Sequence, residues 1–245
     1  MKVICPNCGK LLEVSRDAQT CFCSECGSNF SQKTGIDELN KNYKSFQRDA
    51  DVQINRFGDY KRAIEDYEDS LALKPNDFAS ISGIILVKLY SQSFDKPAFS
   101  EIEKIINSFD IYLNHENTFL YLCLIRDVIK QVTIFNEEGL ERLRIDNKFR
   151  NKEYLDFYIN GMKSALDALK FLNENIEICD QEEVKEFIQD DDVVTQLNAT
   201  IDFIDKHINS DFDIADVHSE IDNLEVRYIP EETSAFKKIF SRFKK

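Results

Sequence analysis

From residue 36 onward, apolar side chains recur every three or four positions, the period of a helix with one face turned to a core. Leu39, Tyr43, Phe46, Ala50, Ile54 and Phe57 make the first such stripe. Gly58 breaks it, a second helix follows through Ala63, Tyr67 and Leu71, and Pro75 stops that one. The same period predicts helices over 78–91 (Ile81, Ile84, Ile85, Leu89) and 97–109 (Phe99, Ile102, Ile105, Ile106). Further helices are expected over 117–135, 137–148, 151–173, 181–207 and 213–226. The first 35 residues lack this period. There, Leu11-Leu12-Glu13-Val14 and Cys21-Phe22 read as short strands, with Ser15 to Thr20 as the turn between them.

Composition supports a mainly helical chain. Only 4 Pro and 7 Gly serve 245 residues, too few turn-formers for a many-stranded sandwich or barrel. Apolar residues at 42% and charged ones at 31% are the balance of a water-soluble globular protein. The longest apolar run, Phe119 to Ile125, is closed by Arg126-Asp127 and is too short to span a bilayer. The start, Met1-Lys2-Val3-Ile4-Cys5, has no apolar signal-peptide core, so a reducing, cytoplasmic location is expected.

Cysteine is concentrated where the helical period is missing: five of the seven lie in the first 26 residues. Cys5-Pro6-Asn7-Cys8-Gly9 and Cys23-Ser24-Glu25-Cys26-Gly27 have the same spacing. Two residues between cysteines suit a tight turn that aims both sulfurs at one ion, and the following glycine can take a positive φ. Four thiolates favour a tetrahedral Zn²⁺ over harder cations. This segment resembles a zinc ribbon in its form with two Cys-x-x-Cys-Gly knuckles, with Cys5, Cys8, Cys23 and Cys26 as ligands of one structural Zn²⁺. Cys21 is a fifth thiol on the same strand face as Cys23, so a Cys5/Cys8/Cys21/Cys26 set stays open by direction alone. A closed four-sulfur shell has no position for a reactive water, and its apparent binding energy of ~10–16 kcal/mol offsets the small core of so short a segment.

The string from Gly58 to Pro75 resembles the second helix of a tetratricopeptide repeat, with Gly58, Tyr60, Ala63, Tyr67, Ser70 and Pro75 at the family's marked positions. Asp51 departs from that pattern, standing where a small residue would let the paired helices touch. The fold expected is therefore mainly α: a small N-terminal β zinc ribbon and an α-helical body, either tetratricopeptide-like or an ordinary helical bundle. Its parts are a ribbon at 1–33, repeat-like helices at 36–110, an acidic helical region at 111–228 and a basic amphipathic helix at 229–245.

Charge then narrows the function. The chain carries a net −14, yet residues 1–35 are +1 and residues 230–245 are +3. Seventeen acids in 174–225 face only Lys185 and Lys206. Bulk electrostatics thus oppose nucleic-acid binding, and a protein partner with a basic surface suits the acidic face better. No phosphate-binding loop, dinucleotide fingerprint or nucleophile elbow occurs, and His115, His207 and His218 sit in no catalytic pattern, as surface or capping residues would. Asp190-Asp191-Asp192 and Asp211-Phe212-Asp213 lack the glycine and terminal glutamate of a calcium loop and read as solvated acidic faces. Cys123 and Cys179 read as small core residues. The expectation is a non-enzymatic zinc-binding adaptor without catalytic or small-molecule sites. The alternatives are a nucleic-acid-associated ribbon protein using Arg16 and Phe22 or Phe30, and a peripheral membrane adaptor. The membrane reading rests on the stripe Phe236, Ile239, Phe240 and Phe243 beside five basic residues, and the same stripe also reads as folding back onto the body, its charges meeting the acidic 174–225 face.

Overall fold

The computed structural model describes residues 1–94, 96–109, 115–145, 152–176 and 192–209, with Cys179, Glu182, Val184 and Lys185 between the last two stretches. The helices expected at 213–226 and 229–245 lie outside the described residues. The rest is mainly α with a small N-terminal β part. Strands β1 (Lys2–Ile4), β2 (Leu11–Glu13), β3 (Thr20–Phe22) and β4 (Asn29–Ser31) precede α1 (Gln32–Val52), one π-helical turn (Gln53–Phe57), α2 (Tyr60–Leu73) and α3 (Phe78–Ser91). Then come α4 (Phe99–Asn107), α5 (His115–Ile145), α6 (Lys152–Ile176) and α7 (Val193–Asn209). Among the described residues no helix is long and apolar enough to cross a membrane. The chain divides into two compact units, Met1–Ile84 and a second beginning at Ile85.

In the first unit, two antiparallel hairpins, β1 with β2 and β3 with β4, stand before the helices. β4 runs straight into α1, whose N-cap is Ser31: its hydroxyl accepts the Thr34 N–H at 3.1 Å. Gly35 therefore falls in the first turn of α1, and the helix starts before the residue 36 suggested by the periodicity. A Cβ at Gly35 would lie 2.7 Å from the Phe30 ring and 3.0 Å from the Val3 Cβ, so only glycine lets α1 settle on both hairpins. Just beyond, Ile4, Leu39 and Tyr43 form a core against which Leu11 and Leu73 pack, joining strands and helices in one apolar cluster.

The α1–α2 pair follows the expected breaks at Gly58 and before Pro75. Gly58 has φ 63°, a left-handed conformation that reverses the chain, and the Asp59 carboxylate caps α2 by accepting the Arg62 N–H at 3.0 Å. Ala50 and Ala63 are wholly buried. Phe57 departs from the expected stripe. The π-helical turn widens the helix after Val52, so the 3.6-residue count no longer predicts direction, and Phe57 is 69% exposed. A buried polar chain ties α1, α2 and the start of α3. The Gln47 side-chain amide donates to Asp77 at 2.7 Å and Ser80 at 2.9 Å, Ser80 Oγ donates to Ser70 Oγ at 3.0 Å, and Ser70 Oγ to the Tyr43 carbonyl at 3.3 Å.

The second unit is built on α5 and α6. The break expected between 135 and 137 does not occur; α5 continues through Asn136, which is buried and accepts the Tyr158 hydroxyl proton at 2.6 Å. The single helix expected over 181–207 is interrupted at Asp192, which lies outside helical structure just before α7. Phe94 stacks between Phe135 and Tyr154, at 4.7 and 5.1 Å between ring centroids, and Gly139 and Gly161 leave room for the Tyr158 and Phe135 rings. His207 is not the surface residue expected. It is buried, stacks on Phe203, and its Nε2 lies 3.3 Å from the Tyr158 hydroxyl. Cys123 and Cys179 are buried, as small core residues would be.

Two substitutions test the packing of α2 against α3. The Tyr67 ring lies flat over Gly83, where an added Cβ would overlap the ring. Gly83→Ala should cost about 1–3 kcal/mol in urea denaturation of the full chain. Tyr67→Phe, which removes a buried hydroxyl without a hydrogen-bond partner, should change stability by less than about 0.5 kcal/mol or raise it.

Candidate metal centre

Each cysteine pair sits where a hairpin turns. Beyond β1, the Cys5 N–H donates to the Lys10 carbonyl at 2.9 Å and the Gly9 N–H donates to the Cys5 carbonyl at 2.9 Å. Beyond β3, the Cys23 N–H donates to Ser28 O at 2.9 Å and the Gly27 N–H to Cys23 O at 2.8 Å. Gly9 and Gly27 have φ of 75° and 71°, so both knuckles use one backbone conformation that a side chain would strain. The flanking strands hold each knuckle shut, Ile4 opposite Leu11 and Phe22 opposite Asn29. β1 and β4 were not legible as strands in the sequence, because three residues are too short to show alternation.

The two knuckles face each other. Cys5 Sγ lies 3.6 Å from Cys26 Sγ, Cys8 Sγ lies 3.6 Å from Cys23 Sγ, and all four sulfurs are within 4.8 Å of one another. Zinc–sulfur bonds of ~2.3 Å in a tetrahedron put sulfurs ~3.8 Å apart, so this cluster has the size of a four-sulfur metal site. Cys5 and Cys23 are buried, while Cys8 and Cys26 are exposed. Among the described residues no other group of three or more His, Cys, Asp or Glu side chains converges in this way. Cys21 lies outside the cluster, buried on β3 opposite Phe30. Cys23 lies past the strand end, where the chain has begun to turn, so the alternation that would point both thiols the same way does not reach it.

Electrostatics within the cluster are uneven. The Ser28 hydroxyl lies 3.0 Å from Cys26 Sγ and 3.2 Å from Cys5 Sγ. That hydroxyl, followed by the Asn7 side chain and the Ser28 N–H, brings the Cys26 thiol down to about 5, and the same hydroxyl lowers Cys5. For Cys8 the Lys10 N–H pulls downward, but the water displaced by the surrounding cluster and the neighbouring Cys26, Cys23 and Cys5 thiols prevail and push it up to about 12. Four sulfurs this close cannot all ionise by themselves, and a divalent cation among them removes that obstacle. The soft, all-thiol donor set fits Zn²⁺. Around it, Lys10 and Glu25 pair across the knuckles at 3.3 Å on the exposed surface, where such a pair contributes little.

Phe30 packs against Gly35, whereas Phe22 is 62% exposed. Ser28, Asn7 and Gly35 were missed by sequence reasoning. The equivalence of Ser28 and Lys10, each directly after a knuckle glycine, was the one signal that could have marked Ser28. Comparison with protein-family models, curated proteins and solved structures gives no match to this chain.

Cobalt titration followed by its thiolate charge-transfer absorption tests the ligand set. Cys21→Ser should take up one equivalent like the parent, and Cys23→Ser should lose tight binding. The reverse outcome would assign the site to Cys21.

Proposed function

We propose that this chain is a non-enzymatic adaptor in which one structural Zn²⁺, bound by Cys5, Cys8, Cys23 and Cys26, braces a helical platform that binds a protein partner. The observation that carries the reading is Gly35, in the first turn of α1 and pressed against both hairpins. The ribbon is thereby built into the core that also holds Leu39, Tyr43 and Leu73, so a metal that closes the knuckles steadies the helices beside them. A closed shell of four thiolates suits bracing rather than hydrolysis. Helix pairs of the tetratricopeptide kind present surfaces for peptides, and the acidic stretch 174–225 favours a basic one. Four thiols gathered as for a metal suit a reducing, cytoplasmic compartment.

Elemental analysis of freshly purified protein should give one zinc per chain, and less than half an equivalent would remove the metal from this account. Affinity capture from the native host should then recover a defined protein partner, retained by the parent and lost when the zinc is stripped.

Exposed Phe22 favours one second reading, in which the ribbon stacks on a nucleic-acid base. Its few cations should give weak binding to single- and double-stranded oligonucleotides at about 150 mM salt. Submicromolar affinity there, lost in both Phe22→Ala and Arg16→Glu, would put this reading first.

A further inference from the structure

Each knuckle contributes one buried and one exposed cysteine, Cys5 and Cys23 buried, Cys8 and Cys26 exposed. The close sulfur pairs run across the knuckles, each joining a buried cysteine to an exposed one with the sulfurs 3.6 Å apart. Ser28 Oγ lies against both members of the Cys5–Cys26 pair and keeps them side by side. An oxidant can therefore reach one sulfur of each pair from solvent, and the second needs to close only to the ~2.0 Å of a disulfide bond. We infer that these two pairs are a modification site for hydroperoxides, closing into the cross-knuckle disulfides Cys5–Cys26 and Cys8–Cys23 and releasing the metal.

The inference rests on the zinc reading above for what is released, and on the sulfur positions for what is joined. In the first pair the Cys26 thiolate attacks the peroxide, the O–O bond breaks, and Cys26 becomes a sulfenic acid while the departing hydroxide takes a proton to form water. The Cys5 thiolate then attacks the Cys26 sulfur. The S–S bond forms, the S–O bond breaks, and the second hydroxide leaves as water after taking another proton. Two thiolates are oxidised by two electrons in all, one peroxide is reduced to two waters, and the metal loses two of its four ligands. The same steps at Cys8 and Cys23 remove the other two.

The test uses the full chain as purified, with its zinc content measured first and hydrogen peroxide as the probe. Zinc release is followed with a chromogenic chelator, and the oxidised protein is cut after Lys10, Arg16, Glu25 and Lys33 for mass spectrometry. These cuts put Cys5 and Cys8 in one peptide, Cys21 and Cys23 in a second and Cys26 in a third. The expected result is zinc release in step with links from the first peptide to each of the other two, unchanged in Cys21→Ser and reversed by dithiothreitol with added zinc. Links confined within the knuckles, Cys5 to Cys8 and Cys23 to Cys26, would overturn the inference. So would links through Cys21, or zinc retained after peroxide is consumed. A zinc content near zero at the outset would instead defeat the zinc reading, while the peptide links would still decide the pairing.

Discussion

Four sulfurs within 4.8 Å of one another are a liability without a cation: each thiolate that forms makes the next harder to form. The chain meets that constraint with two identical turns, in which Gly9 and Gly27 carry the positive φ that curls the backbone and the strands on either side hold the curl. A divalent ion at the centre would turn the repulsion into a cross-link between two hairpins that have little core of their own. The rest of the N-terminal unit is built outward from that junction. Val3 and Phe30 flank Gly35, Ile4 meets Leu39 and Tyr43, and the helix set in place by these contacts receives α2 through Leu73.

Away from the cysteines, uniqueness comes from buried polar groups that have only one good arrangement. The chain of hydrogen bonds from Gln47 through Asp77, Ser80 and Ser70 to the Tyr43 carbonyl fixes the registry of α1 and α2 with the start of α3. Asp77 also caps α3 by accepting the Ser80 N–H at 3.1 Å, so one carboxylate both starts a helix and anchors it. In the second unit the Tyr158 hydroxyl plays the comparable part, meeting Asn136 of α5 and His207 of α7 inside an otherwise aromatic cluster.

What could be read from the sequence was local. The knuckles are legible because metal chemistry fixes residue type and spacing within four positions, and the ends of α1 and α2 because Gly58 and Pro75 act on their own neighbours. What escaped was set by distant partners or by elements too short to show a period. β1 and β4 are three residues each, and their pairing supplies the order that their sequence does not. His207 is 49 residues from the tyrosine that explains its burial. Nothing in the neighbourhood of Asn136 tells a continuous helix from a broken one until Tyr158 packs against it. Phe57 was misplaced by an otherwise sound rule, since a single π-helical turn suspends the 3.6-residue count. The exclusion of Cys21 likewise depends on where β3 ends, one residue before the knuckle begins.

Metal-closed knuckles would hold the first turns of α1 in place through Gly35. Hydrogen exchange of the full chain, with zinc present and after its removal by a chelator, reads this directly. Stripping the metal should speed exchange in both hairpins and also in α1 from Gly35 through Tyr43. Loss of protection confined to residues 1–31, with those α1 amides exchanging as slowly as before, would contradict it.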